Sequence, residues 1–371
     1  MTATPIAART AANERFFAAE AERIAALSLR LAERFRRGGR LLAVGGSAQD
    51  WSDARHVAVE FVHPVIVGKR ALPALALPAD QVPLLATSDD ALIVFGAELA
   101  APRGCLTIGF GSGAEWDFEP PTSDPYVRQE LVETLYHVLW ETVHVFLEHL
   151  GSSGSGAGAS GFLYPFLERR EADLDAVLAD ASSSVVLKAR EVGELRVRTV
   201  GDGAVLSLAA AELRERFDAG SKLLALGNGG SATDAMDLVA DLRSARRRAL
   251  DLSDDSSILT ALANDLGPEV LFQRQIIAHG CEGDVAVGFS TSGGSANILL
   301  ALEQARRSGL ATVAIVGYDG GRIAADELAD HVILAPSEYI PRIQEAHATA
   351  YHLLCTLCAA GSRAGLELVQ A

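Results

Sequence analysis

Gly227-Asn228-Gly229-Gly230-Ser231 and Ser290-Thr291-Ser292-Gly293-Gly294-Ser295 gather hydroxyls and glycines in a pattern suited to holding a phosphate. Glycine lets the backbone approach an anion, N–H groups at a helix start point towards it, and serine and threonine hydroxyls add donors. Each loop follows an apolar run that reads as a buried strand, Lys222–Leu226 and Asp284–Phe289, and each precedes a helical pattern. One Gly/Ser turn after a strand is common in α/β proteins. Two of them, about sixty residues apart in a repeated strand–loop–helix pattern, point to a phosphate or sugar-phosphate site.

The elements that must carry these loops follow from the rest of the chain. Its 371 residues are enough for two ordinary domains, and 49% hydrophobic with 22% charged is a globular profile. The net charge of −16 argues against nucleic acid as a ligand, so an anionic substrate must be captured by local loop and helix fields. Arg243–Arg248 is a short basic cluster, read as a solvated face more readily than as an anion-binding element. Four cysteines form no disulfide framework, and Cys355 and Cys358 in an apolar helical pattern read as core residues. No targeting signal and no membrane-length apolar run is evident, so a cytoplasmic location without membrane partners is expected.

The chain also repeats itself. Glu33–Gly45 set beside Glu215–Gly227 shows twice the end of an amphipathic helix, a glycine stop and a buried strand ending in glycine. Gly46-Ser47-Ala48 then matches Gly230-Ser231-Ala232 after a two-residue gap. Gly151–Gly161 reads as a flexible linker, giving a first repeat over 10–150 and a second over 162–371. The second opens with helical pattern from Tyr164 to Phe217, interrupted near Val200–Gly203. Apolar runs near Ser257–Ala263, Val285–Phe289, Thr312–Val316 and Val332–Leu334 follow as expected strands, with a last helix over Pro341–Ala360. That alternation predicts α/β architecture: two three-layer α/β/α domains with parallel sheets. The first is truncated: Ala91–Phe95 leads to Gly96-Ala97-Glu98-Leu99 without a serine cradle, and a strand and helix are expected to be missing before Asp124.

The motifs of the second repeat resemble the SIS (sugar isomerase) domain, and within it the phosphoheptose isomerases, which interconvert sedoheptulose 7-phosphate and glycero-manno-heptose 7-phosphate. The matching residues are Gly227–Ser231, Ala263-Asn264-Asp265, Ser290–Ser295, Gly317–Gly321 and Arg342-Ile343-Gln344-Glu345. The resemblance implies that Asn228, Gly229, Ser231, Asp265, Ser290, Thr291, Ser292, Ser295 and Gln344 bind substrate. It further implies a His-x-x-x-Glu pair after the first loop, with Gln and His eight residues apart on the last helix, as catalytic and metal-binding groups. The second repeat keeps Gln344 and His352 but has Asp237 and Asp241 at the pair. The first repeat has His56 and Glu60, with Gln129 and His137 at the eight-residue spacing.

His56 and Glu60, four apart, share one helix face and can converge on one ion or substrate. Ser231 and Asp241 stand about 15 Å apart along a helix, and Gln and His eight apart are separated by about 12 Å. Sites are therefore expected to form between copies: phosphate on the second repeat, His56 and Glu60 from the first, and Gln129/His137 or Gln344/His352 from the terminal helices. In that reading Glu60 is the base, His137 or His352 shuttles the oxygen proton, and a zinc ion sits on His56, Glu60, Gln129 and His137, or alternatively on Gln344 and His352. Two chains would form a homodimer of four such domains. The alternative is a non-catalytic sugar-phosphate sensor or scaffold, a use to which SIS domains, including those resembling replication-initiator-associating proteins, are also put.

Overall fold

The structure, a computed structural model, describes residues 4–65, 69–97, 101–151 and 174–359. The chain divides into two compact units, Ala11–Glu191 and Met1–Thr10 with Val192–Ala371. The elements in chain order begin with α1 (Ile6–Arg36), β1 (Leu41–Gly45), α2 (Ala48–Val62), β2 (Ala74–Ala76), α3 (Val82–Leu85), β3 (Ala91–Phe95), β4 (Leu106–Gly109), β5 (Trp116–Asp117) and α4 (Pro125–Gly151). After α5 (Leu174–Val200) and α6 (Ala204–Asp218) come β6 (Leu223–Leu226), α7 (Gly230–Ser244), β7 (Ala249–Asp251), α8 (Ser256–Asp265) and α9 (Leu271–His279). The chain continues through β8 (Val285–Ser290), α10 (Ala296–Arg307), β9 (Ala311–Gly317), α11 (Gly321–Ala325), β10 (His331–Ala335) and α12 (Ile340–Ala359). The expected linker over 151–161 lies, apart from Gly151 at the end of α4, outside the described residues, as does Tyr164.

Each unit contains one five-stranded parallel sheet, in the orders β2-β1-β3-β4-β5 and β10-β9-β8-β6-β7. The central strands β6, β8 and β9 are buried along their whole length, which is why they read as unbroken apolar runs. In both sheets the strand order reverses direction between the first and third strands of the unit, β1 and β3 or β6 and β8. Parallel α/β sheets open a crevice at such a switch point, beyond the carboxyl ends of the strands. Both serine/glycine loops leave the sheet there.

The duplication extends to a structural tie. Asp90, just before β3, accepts hydrogen bonds from the Arg40 backbone N–H at 2.8 Å and from Arg40 Nη2 at 2.7 Å, and from Thr87 as well. At the same place in the other sheet, Asp284 accepts from the Lys222 N–H at 2.9 Å, from Lys222 Nζ and from the Cys281 N–H at 2.9 Å. Each carboxylate joins the strands that flank the crevice, through the residue that precedes the first of them.

Two expectations need correction. Ser257–Ala263 lies in a helix, α8, capped by Asp255, whose carboxylate accepts the N–H groups of Ser257 and Ile258. The strand is instead Ala249–Asp251, too short to leave a periodic signal. The first repeat has not lost a strand: β4 and β5 complete its sheet, and what is absent among the described residues is a helix on the β3–β4 and β4–β5 connections.

Burial would raise the Asp90 carboxyl, but the hydrogen bonds from Arg40 and Thr87 outweigh it and hold it at about 2, against an ordinary 3.8. A depressed folded-state value means stability that is present above about 4 and lost as the pH falls through about 2. Asp90→Asn is expected to destabilise its unit by about 2 kcal/mol at neutral pH, with the gap to wild type closing between about pH 4 and 2, as followed by urea unfolding.

Candidate functional site

In the unit carrying β6–β10, the loops are held together by backbone contact. A Cβ on Gly227 would meet the Ser231 carbonyl oxygen at 2.0 Å, so only glycine lets α7 turn back over the end of β6. Gly293, at φ +61°, lies so close to the Gly320 carbonyl that a Cβ would approach it to 2.1 Å. The Ser290 loop is thereby seated on the Gly317–Gly321 loop, and the Gly293 carbonyl accepts the Ile323 N–H at 3.0 Å. Asn228 and Asn297 exchange two amide hydrogen bonds, of 3.0 and 2.8 Å, which fasten the β6 loop to the start of α10.

Within this frame Ser231 and Ser290 are buried, Thr291 and Ser295 half-buried, and Ser292, Asn228 and Gly229 exposed. Ser290 Oγ accepts the Gly293 N–H at 3.1 Å and lies 3.5 Å from Ser295 Oγ, while Ser292 Oγ accepts the Gly294 N–H at 3.2 Å. The Ser290 and Ser292 hydroxyls thus stiffen the loop. Asp265 is exposed at the end of α8, accepting a 2.8 Å hydrogen bond from Asn264 Nδ2.

α12 is buried from Pro341 to Cys358, although it carries Arg342, Gln344, Glu345, His347 and His352. Arg342 Nη1 pairs with Glu345 Oε2 at 2.8 Å. Three buried carboxylates on one face of α7 meet polar rings of α12: Asp234 and His347 Nδ1 at 3.7 Å, Asp237 and the Tyr351 hydroxyl at 3.2 Å, Asp241 and His352 Nε2 at 3.8 Å. Asp237 and Asp241, at the His/Glu positions of the resemblance, therefore pair inside their own repeat. Gln344 stands about two turns before His352 on the same helix.

The other unit has the same frame with different contents. Ser47 caps α2, its hydroxyl accepting the Asp50 N–H at 3.2 Å. The Asp50 carboxylate, however, fills the space beside Gly96, where a Cβ would meet its Oδ2 at 2.3 Å. After β4, the N–H groups of Gly111, Ser112 and Gly113 all donate to the Asp117 carboxylate, at 2.8, 3.1 and 2.7 Å. The N–H groups that this loop presents are thus taken by the unit's own Asp117 carboxylate.

The His-x-x-x-Glu pair of this unit converges as its spacing suggested. His56, Glu60 and His137 are buried, with one ligand atom from each lying within 4.8 Å of the others. His56 Nε2 is 3.3 Å from His137 Nε2 and 3.8 Å from Glu60 Oε1. Donors about 2.0–2.1 Å from a tetrahedral zinc are themselves about 3.3 Å apart, so the spacing suits such an ion. The Tyr136 hydroxyl donates to Asp53 Oδ1 at 3.3 Å and lies 3.1 Å from His56 Nδ1. Tyr136 oxygen can then accept Nδ1–H, which leaves the His56 Nε2 lone pair facing His137 and Glu60. Burial and the neighbouring His137 push His56 well below its ordinary value, favouring the neutral, ligating imidazole. Gln129, half-buried, is two turns earlier on α4.

Sequence reading missed Asn297, Asp234, His347, Tyr136, Asp50 and Asp117. Asn297 sits two residues past the serine loop, where a helix-start amide is a recognisable signal; the others look like ordinary helix or loop residues until their partners are known. Arg243, Arg247 and Arg248 bind Ala249 O, Asp218 and Gly220 O respectively, in keeping with a structural basic cluster. No helix among the described residues is long and apolar enough to cross a membrane.

Two crevice-bearing parallel sheets, glycine-tight loops and a buried polar terminal helix define the class: the sequence model described as SIS domain matches residues 196–317, and the chain belongs to this sugar isomerase family. Within it, the chain belongs with the phosphoheptose isomerases. It is 43% identical over 182 residues to the phosphoheptose isomerase of Citrifermentans bemidjiense, covering 47% of this chain and 94% of that protein. It is 49% identical over 149 residues to that of a Geobacter species, covering 38% and 77%. In fold alone, it is similar to the C-terminal domain of glucosamine-fructose-6-phosphate aminotransferase from Francisella tularensis, with TM-score 0.59 and 10% identity over 94% of each chain.

Because Asp117 takes the Gly111–Gly113 amides and Asp50 lies against Gly96, calorimetric titration with a sugar phosphate is expected to give one equivalent bound per chain. Two equivalents would show those loops still bind. Cys355 and Cys358 are buried core thiols, the latter pushed up to about 12 and donating to Ala210 O, and burial also raises Cys105 to about 11. A thiol reagent at neutral pH is expected to modify Cys281 alone in the native chain, as counted by mass spectrometry.

Proposed function

We propose that this chain is an aldose–ketose isomerase that interconverts sedoheptulose 7-phosphate and glycero-manno-heptose 7-phosphate. The observation that carries the reading is the Ser231/Ser290 loop frame at the switch point, in a chain covering 94% of a phosphoheptose isomerase at 43% identity. In this reading Ser231, Ser290, Thr291, Ser292 and Ser295 bind the phosphate, with Asn228, Gly229, Asp265 and Gln344 towards the sugar.

Isomerisation moves a proton between C1 and C2 through an enediol, which needs a base over the carbon and an acid at the oxygens. Glu60 is assigned as the base and His137 or His352 as the group that exchanges the oxygen proton. His56, Glu60 and His137, with Gln129, would hold a zinc ion; Gln344 and His352 are the alternative ligands. A bound zinc would polarise the substrate carbonyl. The division of labour, phosphate on the second repeat and base on the first, rests on the residue types each repeat retains. A soluble cytoplasmic homodimer of four SIS domains is part of the same proposal.

A second reading has one specific observation in its favour. Asp237 and Asp241 are engaged with Tyr351 and His352, which suits a sugar-phosphate-binding protein without turnover.

Two variants separate the readings. Glu60→Gln is expected to lose at least about 100-fold in isomerase turnover while binding sugar phosphate within about threefold of wild type. Ser290→Ala is expected to weaken sugar-phosphate binding by about tenfold or more, as a hydrogen bond to a charged group is lost. Wild-type turnover in Glu60→Gln would remove the composite site, and a wild-type protein that binds but never turns over would establish the second reading. Prolonged chelation is expected to lower turnover and zinc to restore it.

A further inference from the structure

His347 is fully buried on α12, one turn beyond Gln344. Among the described residues neither of its ring nitrogens has a hydrogen-bond partner, and Oδ2 of the buried Asp234, also without one there, lies 3.7 Å from Nδ1. Leaving a buried imidazole and a buried carboxylate oxygen unbonded is costly, and a movement of less than about 1 Å would join them in a hydrogen bond. The surroundings give the pair a purpose. Asp234 stands three residues after Ser231 on α7. Phe289, the residue before Ser290, packs its ring 6.3 Å from that of His347. Neighbours of both serine loops therefore meet on one side chain of the helix that carries Gln344 and His352.

We propose that Asp234 and His347 form a buried hydrogen-bonded pair that holds the Ser231 and Ser290 loops in register with α12, which makes His347 a positioning residue for the isomerisation. The inference rests on the sugar-phosphate isomerase reading for its catalytic consequence, but not for the pairing. Burial raises the Asp234 carboxyl while His347 opposes the rise, as expected if the imidazole is its main stabilising neighbour.

His347→Phe keeps a ring against Phe289 and removes the donor; Asp234→Asn removes the charge. In each, kcat on sedoheptulose 7-phosphate is expected to fall about 100-fold with KM within about threefold, because phosphate capture survives while the reacting carbons shift relative to α12. Backbone amide exchange at 229–231 and 290–294 is expected to quicken at least about tenfold, and that of β9 to stay unchanged. His347→Gln, which retains a donor, should recover most of both, and the double variant should be no worse than either single one. Unchanged kcat and exchange in both single variants, or fully additive losses in the double variant, would overturn the pairing. A wild-type chain without turnover would defeat the proposed function instead, and the exchange measurement then decides the pair by itself. Should His347→Phe fail to fold, Asp234→Asn against His347→Gln makes the same comparison.

Discussion

The candidate site depends on backbone packed against backbone where a side chain has no room. Gly227 against Ser231, Gly293 against Gly320 and Gly317 against Thr291 each place main-chain atoms within 2.0–2.5 Å of where a Cβ would be. That closeness lets loops from three parallel strands pack against one another at the switch point. The reciprocal Asn228–Asn297 amide pair adds a polar clasp across the same gap. An overall charge of −16 would repel an anionic ligand, so binding has to be local, through donors fixed by this geometry.

The two repeats show what one frame does with different side chains. Arg40 with Asp90 and Lys222 with Asp284 make the same tie in both sheets, and the sheets share one strand order. Their loops differ in chemistry. In the second repeat they present serines; in the first, Asp117 takes the loop amides and Asp50 lies against Gly96. The histidine–glutamate pair has the opposite distribution: a buried His56–Glu60–His137 cluster in the first repeat, and aspartates joined to Tyr351 and His352 in the second.

Much of this was legible before any coordinates. The long buried strands, both serine loops, the terminal helix and the duplication follow from periodicity and from residue types confined to loops. Ser257–Ala263 misled because a short apolar run fits strand and helix alike; the cap at Asp255 was the signal that decides it. Strands of two or three residues, such as β5 and β7, are fixed by their neighbours in the sheet and leave little pattern of their own. Asp234 and His347 escaped for another reason: a polar residue in an apolar helix reveals its role only through a partner more than a hundred positions away.

The central claim, that this chain performs proton transfer on a sugar phosphate, is tested most directly by incubating the wild-type protein with sedoheptulose 7-phosphate in ²H₂O, with and without added Zn²⁺, and following the reacting carbons by NMR. The account predicts deuterium at the exchanging carbon together with formation of the aldose. Measurable binding of the sugar phosphate with neither exchange nor aldose would contradict it.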